Sequence, residues 1–128
     1  MNEYILVIED NEDIRESIME ILSLEGYRVL SADCGLSGLD LATEALPDLV
    51  ICDIVMRDVD GYSVFNTLHK TIATKNIPVI FSTAKSERSE RRKAMLMGIE
   101  DYLVKPFDDK DLLIAVKKVL DKHTKLIS

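Results

Sequence analysis

Tyr4-Ile5-Leu6-Val7-Ile8-Glu9-Asp10-Asn11-Glu12-Asp13 runs five strand-forming apolar residues directly into four carboxylates within five positions. A strand with one wet face would alternate apolar and polar side chains. An unbroken apolar run instead fits a central strand covered by helices on both faces. The period changes immediately afterwards. Ile14, Ile18, Ile21 and Leu22 fall at helical spacing, Asn11 is placed to cap them, and Gly26 to stop them, which predicts a helix over 12–25.

The same alternation continues along the chain. Arg28 to Ala32 reads as a second strand, Leu36 to Ala45 as a helix stopped by Pro47, and Leu49 to Cys52 as a third strand. Gly61 opens a helix whose stripe is Val64, Phe65, Leu68 and Ile72. Ile77 to Phe81 is the fourth predicted strand, with Pro78 near its start, where a missing N–H is tolerated. Ser86 to Met97 follows as a helix stopped by Gly98, and Tyr102 to Val104 as the fifth strand. The last helix starts at Asp108 and turns Leu112, Val116, Val119 and Leu120 inward. Its early Asp109 and Asp111 and late Lys117, Lys118 and Lys122 match the helix dipole. Five βα units predict an α/β fold with a doubly wound, five-stranded parallel sheet and helices on both faces. The whole of 1–128 is expected to form one domain, with about 121–128 as a tail or the start of a linker.

Composition narrows the function. With 16 basic and 23 acidic side chains the net charge is −7, and there is no tryptophan, so direct binding of nucleic acid is not expected of this domain. No apolar run approaches the roughly 20 residues of a membrane span, and the N-terminus lacks a basic signal-peptide start. The two cysteines, Cys34 and Cys52, read as small apolar side chains in a reducing cytoplasm.

Ligands of such a sheet bind beyond the carboxyl ends of the strands. Those ends carry Glu9-Asp10, Asp53, Ser82-Thr83-Ala84 and Lys105-Pro106. Parallel strands would bring these groups together from positions as much as 96 residues apart. Glu9, Asp10, Asp53 and Lys105 together carry a net charge of −2, which a divalent cation would balance. Hard oxygen donors with open positions suit Mg²⁺ and phosphoryl chemistry. Asp53, alone at its strand end, is the candidate nucleophile, with Lys105 neutralising charge on the transferring group. Taken singly, each has an ordinary reading: a helix start seeking negative charge, a turn aspartate, an ST-turn threonine, a solvated lysine. Their joint placement carries the argument.

These residues resemble the receiver domains of two-component response regulators, the family that includes the chemotaxis response regulator. The resemblance rests on the apolar strand entering Glu9-Asp10 and on Cys52-Asp53-Ile54-Val55-Met56 ahead of Asp60-Gly61. Ser82-Thr83-Ala84 and Asp101-Tyr102-Leu103-Val104-Lys105-Pro106-Phe107 complete it. It implies a flavodoxin-like sheet in the order 2-1-3-4-5, with Asp53 as phosphoacceptor. It also implies Mg²⁺ held by Asp10, Asp53 and the Val55 carbonyl, with Glu9 assisting through water, and Lys105 on the phosphoryl group. Thr83 and Tyr102 look like the switch pair that changes the face formed by helix four, strand five and helix five. The phosphodonor would be a histidine kinase or a histidine phosphotransfer protein. The effector would be an output domain or a partner protein, and a homodimer through that face is open, with Arg91 and Asp111 as one cross-interface pair. The family's Lys-Pro bond is typically cis, so Lys105-Pro106 is expected to be cis. Val55 and Lys85, two residues beyond Asp53 and Thr83, flank the path of attacking water and are expected to set the phosphoryl lifetime.

Arg57 stands where many relatives have proline, which implies a looser loop and a guanidinium able to reach acidic groups or the phosphodonor. Other classes fit less well. A flavin phosphate would be repelled by residues 9–13. Asp58-Val59-Asp60-Gly61-Tyr62 superficially matches a dehalogenase-type phosphatase motif, but Met56-Arg57 separates it from strand three. As an EF-hand loop the segment would place Met56 and Thr67 at ligand positions. A pseudo-receiver, a binding module that accepts no phosphate, is the remaining alternative. His69 and His123 read as ordinary surface groups.

Overall fold

The structure, a computed structural model, describes residues 3–127, with side chains described through residue 123. Its elements are β1 (Tyr4–Ile8), α1 (Glu12–Leu24), β2 (Arg28–Ala32), α2 (Gly35–Ala45), β3 (Leu49–Cys52), α3 (Gly61–Lys70), β4 (Val79–Thr83), α4 (Arg88–Met97), β5 (Asp101–Val104) and α5 (Asp109–Ile127). All pairings are parallel and the order is β2-β1-β3-β4-β5.

The unbroken apolar strands divide their side chains between two cores. Leu6 and Ile8 of β1, Val50 and Cys52 of β3, and Val79 and Phe81 of β4 meet Ala42, Val64, Leu68 and Ala94 from α2, α3 and α4. Ile5, Val7, Leu49, Ile51 and Ile80 face the other way, against Ile18 and Leu22 of α1 and Leu112, Val116 and Val119 of α5. Burying each such side chain contributes about 1.5–3 kcal/mol, which is why these strands contain no polar residue on either face over their central positions. Helix ends follow local chemistry. Asn11 accepts the Ile14 N–H at 2.9 Å and Asp60 the Ser63 N–H at 2.8 Å. Gly98 ends α4 in the left-handed region, at φ 114°.

Four boundaries differ from the sequence reading by two residues or more. β4 is shifted to Val79–Thr83 from the expected 77–81. The sequence reading set Ser82 and Thr83 just beyond the strand, yet both are buried within it and paired with Leu103 and Val104 of β5. α3 stops at Lys70, so Ile72 lies outside its stripe and is 86% exposed. The Thr71 hydroxyl bonds the Thr67 carbonyl at 2.8 Å and the Thr74 hydroxyl the Leu68 carbonyl at 2.7 Å, filling acceptors that a further turn would have used. α4 begins at Arg88, two residues late, behind an extended Glu87. Residues 121–127, expected as a tail or linker, continue α5.

One glycine controls how α3 approaches the sheet. A Cβ on Gly61 would lie 2.6 Å from the Asp53 carbonyl oxygen and 2.8 Å from Ile54 Cα, both backbone atoms unable to yield. The Gly61 N–H uses that proximity to donate to the Ile54 carbonyl at 2.7 Å. Gly61→Ala is therefore expected to lower stability by about 1–3 kcal/mol, outweighing alanine's better helix propensity. A lower urea midpoint at unchanged slope is the expected observation.

Candidate functional site

Backbone hydrogen bonds carry the sheet one residue past three strands, and those three residues hold the site. Glu9 N–H donates to the Ala32 carbonyl at 3.1 Å, Asp53 N–H to Ile8 at 3.0 Å, and Lys105 N–H to Thr83 at 2.8 Å. Each charged side chain thus stands on a fixed backbone at the carboxyl edge. The peptide bond from Lys105 to Pro106 is cis, as the resemblance implied.

The side chains converge. The Lys105 ammonium contacts Asp53 Oδ2 at 3.1 Å and also donates to Glu9 Oε1. Glu9 is 2% exposed and Asp53 8%, so both carboxylates depend on that ammonium. The second Glu9 oxygen accepts the Asn11 N–H at 3.1 Å, and the second Asp53 oxygen accepts the Val55 N–H at 3.3 Å. Burial raises the Glu9 carboxyl above the ordinary glutamate range, against the lowering contacts of Lys105 and the Asn11 N–H. Arg15, which the sequence reading did not single out, donates to the Glu9 carbonyl at 3.0 Å and braces the same loop from α1.

Carboxylate oxygens of Glu9, Asp10 and Asp53 lie within 4.8 Å of one another. Their hard donors, with Asp10 turned partly to solvent, fit a small divalent cation. Val55, Thr83 and Lys85 line the same opening, a pocket of about 380 Å³. A larger cleft of about 630 Å³ lies among residues flanking the opposite ends of β3 and β4, where His69 and His123 lie. His69 stacks on Phe65 and His123 lies 3.5 Å from Glu100, both away from the acidic cluster.

Thr83 and Tyr102 are both buried and are linked through one residue. The Tyr102 hydroxyl donates to the Lys85 carbonyl at 2.8 Å, and the Lys85 N–H donates to the Thr83 hydroxyl at 3.3 Å. Ser82, grouped with Thr83 in the sequence, is not among the residues lining the pocket. Arg91 donates to the Tyr102 carbonyl at 2.8 Å and lies 3.7 Å from Asp101, so its guanidinium is engaged within the chain.

The loop after Asp53 is fastened at adjacent positions. Arg57 reaches Asp10 at 3.9 Å, an exposed pair of small energetic weight. Asp58 accepts the N–H groups of Gly35 and Leu36 at 2.9 and 2.8 Å, capping α2 from 22 or more residues away. Its role was missed because the sequence reading considered it only as part of a phosphatase-like motif. The available signal was Cys34, a cap residue whose thiol makes no capping bond.

The profile of the response regulator receiver domain matches residues 5–117. The chain is 38% identical over 126 residues to the transcriptional regulator ycf27 of Porphyridium aerugineum, covering 98% of itself and 51% of that protein. It is 33% identical to the DNA-binding dual master transcriptional regulator RpaA of Synechocystis, covering 95% of itself and again 51% of the relative. It therefore spans about half the length of these relatives. Among solved structures, a response regulator receiver domain protein of Clostridium thermocellum superposes with a TM-score of 0.89 at 31% identity, covering 97% of this chain and 98% of that one. The Vibrio cholerae chemotaxis protein CheY4 superposes with a TM-score of 0.87 at 25% identity, covering 93% and 99%. The parallel five-stranded sheet with its acidic carboxyl edge defines a signalling receiver of the flavodoxin-like type. The chain belongs to the response regulator receiver domain family.

The two backbone N–H groups of α2, the larger influence coming from Leu36, hold the Asp58 carboxyl far below the ordinary aspartate range. A depressed folded-state pKa stabilises above the unfolded value and is lost as pH falls through the folded one. Asp58→Asn should accordingly be less stable than the parent at neutral pH. The difference should shrink from about pH 4 downward, near the unperturbed aspartate value, as followed by thermal melts across pH.

Proposed function

We propose that this domain accepts a phosphoryl group on Asp53 from a histidine kinase or histidine phosphotransfer protein, and that the modification changes the face formed by α4, β5 and α5. The observation that carries this reading is the Lys105 ammonium bridging buried Glu9 and Asp53 beside the partly exposed Asp10. A mere surface cluster of acids would have no reason to bury two of them around a lysine from the last strand.

An Asp53 oxygen attacks phosphorus, the bond from phosphorus to the donor nitrogen breaks, and that electron pair returns to the donor histidine. Lys105 stays within reach of the modified carboxylate and neutralises charge on the phosphoryl oxygens. Asp10, Asp53 and the Val55 carbonyl would hold Mg²⁺, with Glu9 acting through water. The bound cation supplies further neutralisation of charge in the transition state. The Thr83 hydroxyl turns toward the phosphoryl group and exchanges its Lys85 N–H partner, and Tyr102 conveys the change through the Lys85 carbonyl to α4 and β5. Hydrolysis resets the domain, which acts as a signalling protein and not as a turnover enzyme.

The effector face includes the exposed Met95 of α4 and Ile114 of α5, which suit an output domain, a partner protein or a second copy of this chain. Arg91 already serves Tyr102 and Asp101, so an Arg91 to Asp111 bridge between copies would share that guanidinium with contacts within the chain. The printed role of RpaA, a DNA-binding transcriptional regulator about twice the length of this chain, supports a DNA-binding output outside this acidic domain. Among the described residues no helix is long and apolar enough to cross a membrane, and a cytoplasmic site of action fits the reading.

Intact mass after incubation with Mg²⁺ and acetyl phosphate tests the proposal. One phosphoryl adduct is expected, absent from Asp53→Asn and from the parent in EDTA. A folded parent that stays unlabelled by acetyl phosphate and by a phosphorylated histidine phosphotransfer protein would leave the pseudo-receiver as the better reading.

A further inference from the structure

Lys85 stands between two anionic centres. Its N–H is tied to Thr83 at the mouth of the acidic pocket, and the residue lines that pocket beside Asp53 and Lys105. Its ammonium, however, is engaged from outside, 3.5 Å from Oε1 of Glu90 in the first turn of α4. The other oxygen of Glu90 accepts the Tyr62 hydroxyl of α3 at 2.6 Å. Tyr62 is fixed in turn. Its ring meets Phe81 edge to face with centroids 5.4 Å apart, and the Lys93 ammonium lies 4.4 Å from its centroid. The phenol hydrogen bond holds the Glu90 carboxyl below the ordinary glutamate range, so it remains an anion facing Lys85.

We propose that Tyr62 and Glu90 are positioning residues that compete with phosphorylated Asp53 for the Lys85 ammonium and thereby set how long the phosphoryl group persists. This rests on the phosphoacceptor reading above. Phosphorylation places a dianionic group in a pocket that Lys85 already lines, giving its ammonium a second acceptor. While on Glu90, the ammonium leaves the mouth open to water. On the phosphoryl group it lies across the path of attack. In the reaction it obstructs, a water oxygen bonds to phosphorus opposite the Asp53 oxygen and the bond to that oxygen breaks. The electron pair returns to the carboxylate, and inorganic phosphate leaves as the water proton passes to solvent. Glu90, oriented by Tyr62, shifts Lys85 away from the obstructing position. Because Glu90 lies in the first turn of α4, the exchange also loosens the start of that helix when the site is phosphorylated.

The test is the decay of the phosphorylated protein after removal of acetyl phosphate, at fixed pH and salt. It uses the parent, Glu90→Gln, Tyr62→Phe, Lys85→Ala and the double variant Lys85→Ala with Glu90→Gln. Glu90→Gln is expected to lengthen the lifetime about two- to fivefold, the scale of one partly exposed ion pair. Tyr62→Phe should act in the same direction with smaller effect, since it frees Glu90 without removing its charge. Lys85→Ala should shorten the lifetime, and adding Glu90→Gln to it should change nothing further. Lys85→Arg, which keeps the charge, should restore the response to Glu90→Gln. Thermal melts matching the parent separate these effects from lost folding, and none of the substitutions at positions 62, 85 or 90 removes a core aliphatic side chain. A Glu90→Gln lifetime equal to the parent's, or a lengthening that persists in the Lys85→Ala background, would overturn the inference. If the parent takes no label at all, the phosphoacceptor reading falls and this falls with it. If labelling is normal and decay is unchanged, only the positioning role is refuted.

Discussion

One ammonium holds the carboxyl edge of this protein together. Glu9 and Asp53 are both withdrawn from water, where two carboxylates side by side would ordinarily force one to take up a proton. Lys105 reaches both from the far side of the sheet and removes that conflict. It does not remove it entirely, since burial still raises the Glu9 carboxyl despite the direct contact. Three carboxylates against one ammonium leave net negative charge at the edge, which fits the proposed cation and, through it, the proposed phosphoryl group. Lysine can do this only because its backbone is anchored to Thr83, while Asp53 is anchored to Ile8 and Glu9 to Ala32. The chemistry is a property of the hydrogen-bonded sheet extended by one residue at each of three places.

Much of this could be read from the residues. Continuous apolar runs such as Tyr4 to Ile8 have few other homes than a doubly covered strand, and each was followed by helical spacing with identifiable caps. Parallel strands then leave no freedom over where Glu9, Asp53 and Lys105 end up relative to one another. The reading was weaker wherever a side chain has two uses. Ser82 and Thr83 were set just past the apolar run that marked the strand, although threonine is also a good strand residue and here is buried in β4. Ile72 fitted the period of α3, but threonine side chains competed for the carbonyls that would have prolonged the helix. The residues past 120 gave no sign of structure strong enough to displace a tail, yet α5 continues through Ile127.

Contacts between distant elements were the least legible part. Neither the cap that Asp58 provides to α2 nor the contact of Tyr62 with Glu90 has a sequence period, because each joins residues more than 20 positions apart and depends on where one side chain reaches. Neither contact lines the acidic pocket itself, but each braces a loop that does. Asp58 fixes the wall formed by the loop after β3, whereas Glu90 touches the wall formed by the loop after β4. The acidic centre thus follows from the order of the strands, while the walls depend on contacts that single side chains make between distant elements.

The dependence on Lys105 gives the domain a further property. Among the described residues β5 is an edge strand, paired only with β4, and it follows the other four strands of the sheet in the chain. Until it docks, Glu9 and Asp53 have no ammonium between them. A fragment, or a molecule whose sheet edge has frayed, therefore lacks the charge arrangement around Asp53 even with Asp53 intact. The site is therefore a property of the completed sheet and not of any one strand end.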